Sequence, residues 1–126
     1  MAGPNQVLNK TFKAGAAIDI HKIVMFDSAD DTVIHATAVT DLPFGISLGA
    51  AAALGDRLDV AVIGIGEVKL GGTVNRGDYV VSGAAGVGMP GTASTAKQRA
   101  VGIAMAYGVS GDIIPVLICP SQFDLA

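Results

Sequence analysis

From residue 16 onward the chain alternates brief valine and isoleucine runs with Gly, Asp, Pro and Ser at close spacing. Short β-branched runs bounded by turn residues read as strands joined by tight connections. The pattern predicts strands over residues 20–26, 33–38, 45–48, 58–63, 66–70, 78–82, 99–106 and 113–119. Leu58-Asp59-Val60-Ala61-Val62 alternates cleanly, so one face of that strand is solvated or paired across an interface. A helix fits only residues 50–54, and five residues between two glycines are too few to sustain one. Residues 83–91 carry four glycines and a proline; they read as a loop, either a mobile tip or a place of close chain contact.

The pattern also repeats. Phe44-Gly45-Ile46-Ser47-Leu48, then Gly55-Asp56 and the run from Leu58, is matched by Val101-Gly102-Ile103-Ala104-Met105, then Gly111-Asp112 and the run from Ile113. Upstream, Ile18 ahead of Lys22-Ile23-Val24-Met25 is matched by Val74 ahead of Asp78-Tyr79-Val80-Val81. Ile18 to Val74 and Asp56 to Asp112 are each 56 positions, and Gly45 to Gly102 is 57. Two units predict a pseudo-symmetric all-β domain with quasi-repeats over 16–70 and 71–119, since a solenoid needs about three or more. Residues 1–13 precede the first unit and read as an extended N-terminal arm, leaving 14–126 as a single β domain. In that arm Asn5, Gln6 and Asn9 can pair with a neighbouring backbone, while Val7, Leu8 and Phe12 supply apolar anchors. The alternative makes this segment simply the first strand of the domain.

Length and composition narrow the classes. A 126-residue chain of 12.6 kDa is one domain with enough surface to bury for a core without staples. Hydrophobic residues are 51% and charged residues 15%, against a usual charged share of about 25%. No run approaches the ~18 apolar residues of a membrane span, so no membrane partner is expected. The apolar surplus points instead to a subunit interface, with Leu48, Leu58, Val60, Val62 and Ile63 as candidate self-association residues. A net charge of −3 and the lack of a basic cluster argue against nucleic acid as a partner. The start of the chain shows no secretory signal pattern. A single cysteine, Cys119, cannot form an intrachain disulfide, consistent with synthesis in a reducing compartment.

Candidate chemistry is sparse. Gly45-Ile46-Ser47-Leu48-Gly49 matches a nucleophile elbow, but that chemistry needs an acid and then a histidine after the serine. His21 and His35 both precede Ser47, and its repeat counterpart is Ala104, so the position reads as structural. Arg76-Gly77-Asp78 reads as a turn into a strand, like Gly55-Asp56 and Gly111-Asp112. Asp27, Asp30 and Asp31 lack the spacing and distal Glu of a calcium loop. The two histidines have no further ligands for zinc, and the glycine-rich stretch lacks the ending of a phosphate loop. No catalytic residue, cofactor or metal is expected.

As a whole the chain resembles the head decoration, or capsid cement, proteins of tailed bacteriophages. The likeness spans about residues 14–122. It lies in Ala14-Gly15, Lys22-Ile23-Val24-Met25, Phe44-Gly45-Ile46, Gly66-Glu67-Val68, Gly77-Asp78-Tyr79-Val80, Val101-Gly102-Ile103-Ala104 and Gly111-Asp112. It implies a small β-barrel or β-tulip domain, made in the host cytoplasm and carried on the outer capsid surface of the virion. There it would bridge neighbouring major capsid subunits as a homotrimer, or as a dimer, with the arm as capsid-binding segment. A competing class is a non-catalytic carrier module: Glu67-Val68-Lys69-Leu70 and Gly77-Asp78-Tyr79-Val80 are similar to the hairpins of lipoyl and biotinyl domains. Those domains need a modifiable lysine at a hairpin tip, and Lys97, between Ala96 and Gln98, does not fit.

Overall fold

The computed structural model describes residues 5–50, 53–91 and 98–123. These residues form nine strands: β1 (Asn5–Ala14), β2 (Ile23–Phe26), β3 (Thr32–His35), β4 (Pro43–Ser47), β5 (Arg57–Lys69), β6 (Tyr79–Ser82), β7 (Gly88–Pro90), β8 (Gln98–Ala104) and β9 (Ile113–Phe123). A single 3-10 turn, Ala84–Gly86, precedes β7. The fold is all-β, as the strand pattern predicts, and a small barrel, as the resemblance implies.

The sheet runs β1-β3-β2-β4-β5-β9-β8-β6-β7, and β1 also pairs with β5. That extra ladder closes β1, β3, β2, β4 and β5 into a five-stranded barrel, ring one. Beyond it, β5, β9, β8, β6 and β7 curl into a second ring. Leu70, just past β5, closes ring two through a parallel bridge to Gly88 on β7. Both rings therefore share β5. The sequence pattern splits this strand at residues 64 and 65, yet it runs unbroken for 13 residues. Gly64 has φ +113°, a conformation open to glycine, so the strand passes from one ring to the other without ending.

The two units repeat pair by pair. Val24 faces Gly45, and Val80 faces Gly102. A register shift follows at once in both, between Val24 and Met25 and between Val80 and Val81. Ser47 faces Val60, and Ala104 faces Val116. The anchor glycines have a steric cause. A methyl on Gly45 would stand 2.6 Å from the Ala61 carbonyl oxygen, and one on Gly102 would collide with that of Leu117. Only glycine lets the strands approach so closely beside the bulge. The Gly-Asp anchors are turns: Gly55 and Gly111 have φ +90° and +92°. Beyond them Asp56 Oδ2 accepts the Ala53 N–H at 3.1 Å and Asp112 Oδ2 accepts that of Val109 at 2.9 Å. Arg76-Gly77-Asp78 is the same device, with Asp78 Oδ2 accepting the Asn75 N–H at 2.9 Å.

Residues 5–13 do not stand apart from the domain. They lie in β1, which pairs antiparallel with β5 from Asn5 opposite Ile65 to Lys13 opposite Arg57. The boundary drawn after residue 13 falls inside this strand. The repeat explains why: Phe12 opposite Leu58 corresponds, 56 positions on, to Val68 opposite Ile114. The first unit thus begins with β1, as the second begins with the latter half of β5. The glycine-rich stretch also hides an element, since β7 lies within residues 83–91 and pairs with β6. Of the alanine run, residues 51 and 52 lie outside the described residues.

Two apolar clusters pack the rings, one inside ring one and one that reaches from ring two to Ile23, Ala36, Ile46 and Ala61. Phe12, Ala14, Ile18, Val24, Val33, Leu58 and Val60 fill ring one. Their counterparts Val68, Leu70, Val74, Val80, Ile114 and Val116 belong to the cluster of ring two. Alternating positions of each strand point inward, and each fully buried Val, Leu or Ile contributes about 1.5–3 kcal/mol.

Candidate interaction surface

The buried Ser47 and the half-buried His35 belong to a turn clasp. In ring two the carboxylate of Asp78 holds its own turn, as above. Lys22 stands at the matching place in ring one and has no carboxylate to offer. There the Lys22 N–H donates to Ser47 Oγ at 3.0 Å, the Ser47 hydroxyl donates to the Asp19 carbonyl at 2.6 Å, and the Asp19 N–H reaches His35 Nε2 at 3.4 Å. His21, where ring two has Gly77, takes φ +65°. Side chains from β3 and β4 thus do what one aspartate does in the second unit. Ser47 is fully buried and its proton is committed to a carbonyl, which fits the structural reading of Gly-x-Ser-x-Gly. Burial, and then the positive charge of Lys22, hold His35 below the ordinary histidine range, against a smaller opposite pull from Asp19.

The residues expected to mediate contacts divide sharply. Val7, Leu8 and Asn9 are exposed on β1. Asn5 and Gln6 pair with Ile65 and Gly64 of β5. Phe12 is not a free anchor: it is buried in ring one, because its place on β1 faces the barrel interior. Leu58 and Val60 must be corrected for the same reason. The alternating face that carries them is the core face, so they cannot bind a second copy. Val62 packs against that core and Leu48 against the cluster of ring two. Of the five candidates only Ile63 is exposed, and it lies opposite Leu8.

Two apolar features escaped the sequence reading. Tyr79, Ile103, Leu117 and Ile65 are successive cross-strand partners over β6, β8, β9 and β5, with Tyr79 and Leu117 exposed. They form one row across the outer face of ring two. Their signal is the parity of each strand, which has meaning only once the inward face is known. At ring one, Phe26 and Phe44 stack with centroids 4.0 Å apart, and both meet Phe12 edge-on. Lys10 Nζ stands 4.9 Å above the Phe12 ring. The repeat counterparts of Phe26 and Phe44 are Ser82 and Val101, so this aromatic group belongs to the first unit alone.

An open cleft of about 380 Å³ lies where the rings meet, lined by Asp19, His21, Lys22, Lys69, Gly111 and Ile113 among others. Among the described residues no three His, Cys, Asp or Glu side chains are grouped to hold a metal ion. Lys97, the lysine weighed for carrier chemistry, lies outside the described residues.

The geometry defines a pseudo-symmetric pair of small β-rings sharing a strand. Among solved structures this fold is found in the N base of head fiber gp8.5 of bacteriophage phi29. The match has a TM-score of 0.70 at 19% sequence identity and covers 93% of this chain and 98% of that one. No protein-family model matches the chain, and no curated protein matches it.

Proposed function

We propose that this protein is a structural component of a tailed-phage particle, seated on the outer surface of the head, where it bridges neighbouring major capsid subunits. The observation that carries this reading is the shared fold with a head-fiber base over nearly the full length of both chains. The exposed row of Tyr79 and Leu117 across ring two supports it, since an apolar row across four strands suits protein–protein contact. A bridging role asks for interfaces, not reaction chemistry, and many modest contacts on a repeating shell add up through avidity.

The test is decoration itself. Heads prepared without the chain are mixed with the purified protein and imaged by electron cryomicroscopy. Density of its size over contacts between capsid subunits, with heads that rupture at a higher temperature once decorated, is the expected result. Saturating protein with no added density would end the reading. Tyr79→Asp with Leu117→Asp is expected to weaken decoration at least tenfold without unfolding the domain.

A further inference from the structure

We propose that two copies of this chain pair through the outer edge of β1, antiparallel to one another, so that the sheet continues from one molecule into the next. A strand has two edges. One edge of β1 is taken by β5 over its whole length, while the other pairs only at Lys13 and Ala14, with β3. From Asn5 to Thr11 that outer edge has no strand partner among the described residues. An uncovered strand edge is a template for a further strand.

The internal repeat shows what belongs there. Asn5 to Asn9 of β1 correspond to Ala61 to Ile65 of β5. The parallel bridges Ala14–Val33 and Leu70–Gly88 identify which edge of β5 matches the outer edge of β1. On that edge Ala61, Ile63, Gly64 and Ile65 are covered by β1 itself, antiparallel. The second unit therefore has its flanking strand, supplied by the first. Among the described residues no strand does the same for the first unit, so the same position on β1 stands open.

A second β1 suits the vacancy in direction, polarity and charge. Two copies related by a two-fold axis meet antiparallel, the orientation in which β1 covers β5. The apolar centre is Val7, 77% exposed, with Leu8 and the neighbouring Ile63 about half exposed. A register shift leaves Val7 without a partner on β5. The charges of β1 are Lys10 and Lys13, both toward its C-terminal end. With the axis at Val7, so that the two Val7 residues face each other, Lys10 and Lys13 of each copy fall beyond the other copy's Asn5 and not opposite its lysines. Beyond the centre the strand carries Asn5, Gln6 and Asn9, none of them charged. The symmetric interface would also give the proposed bridging protein two identical outer faces, although the pairing itself does not rest on that reading.

Self-association is measured without any shell, so its failure and that of the head-surface proposal are separable. Sedimentation equilibrium of the full chain from 1 to 200 µM is expected to show a monomer–dimer equilibrium. Val7→Asp with Leu8→Asp should weaken it at least tenfold, with far-UV circular dichroism unchanged. Should that variant unfold, Val7→Cys in a Cys119→Ser background decides the matter. Under mild oxidation it should give a covalent dimer at least ten times faster than Leu54→Cys, another exposed site. A chain that stays monomeric to 200 µM, or equal cross-linking at both sites, overturns the proposal. Dimers that persist in both the Asp and Cys variants, without enhanced linkage at Val7, place the contact elsewhere and overturn it equally.

Discussion

Val33 and Gly88 occupy the same place in the two rings, and the side chain missing at Gly88 is made up by its neighbour. Ala14 bridges to Val33 in ring one, while Leu70 bridges to Gly88 in ring two. Small against large becomes large against none. A methyl on Gly88 would stand 2.9 Å from Val68 Cγ1 and 3.1 Å from Leu70 Cδ2. The volume has been exchanged across the bridge, as close packing requires.

This exchange predicts a coupled pair. Gly88→Val should overpack ring two and cost about 1–3 kcal/mol. Leu70→Ala should leave a cavity and cost about 2–5 kcal/mol. The double variant rebuilds the ring-one pairing, so its loss should be well below the sum of the two. Urea denaturation of all four proteins closes the cycle, and strict additivity would refute the exchange.

Ser47→Ala should be felt. The buried Ser47 hydroxyl bonds the buried Lys22 N–H and the Asp19 carbonyl, and its removal leaves the Lys22 N–H unsatisfied, a loss of about 1–3 kcal/mol. Adding Lys22→Asp supplies the carboxylate that ring two uses, and should restore part of the lost stability. Chemical denaturation measures both steps.

His35 makes the clasp sensitive to acid. Above its unfolded value of 6.5 the imidazole is neutral in both states, and its full contribution is present. Because burial and Lys22 lower its folded value, the unfolded chain takes up the proton first as pH falls. Stability is therefore lost from about 6.5 downward until the folded group titrates, when Nε2 can no longer accept the Asp19 N–H. Melting temperatures from pH 7.5 to 5 should fall more steeply in the wild-type protein than in His35→Gln. Parallel curves would exclude the group.

Val60 and Ile63 should part company. Val60 is fully buried, so Val60→Asp places an unpaired charge in ring one and is expected to unfold the domain. Ile63 is half exposed, and Ile63→Asp should keep the native circular dichroism and melt within about 1 kcal/mol of wild type. A folded Val60→Asp protein would contradict the placement of the core.

The repeat was legible because its anchors are sterically or conformationally forced: Gly45 and Gly102 by a neighbouring carbonyl, Gly55 and Gly111 by their left-handed turns. Strand positions followed from the same punctuation. What could not be read was direction. Alternation marks two faces of a strand but does not say which one looks inward, and Leu58 and Val60 were assigned to the wrong side for that reason. Phe12 had the same ambiguity, compounded by a segment whose polar residues mask the match of residues 12–14 to 68–70. β7 was missed because its residues, Gly88, Met89 and Pro90, have little intrinsic strand preference and are held by pairing alone. The clasp at Ser47 spans Asp19 to Ser47, a distance over which residue types carry no sign of who bonds to whom.

The placement of β1 and β9 on opposite sides of β5 sets how the molecule bears tension. Both run antiparallel to β5, so they are parallel to each other, one leading in from the N-terminal side and the other out toward the C-terminal side. A pull on the two ends draws them in opposite directions along the same central strand. The ladders are then loaded in shear, where several hydrogen bonds must give way together, instead of being peeled open one at a time. Stretched by its ends, the chain should resist and then yield in one abrupt rupture that takes both rings with it.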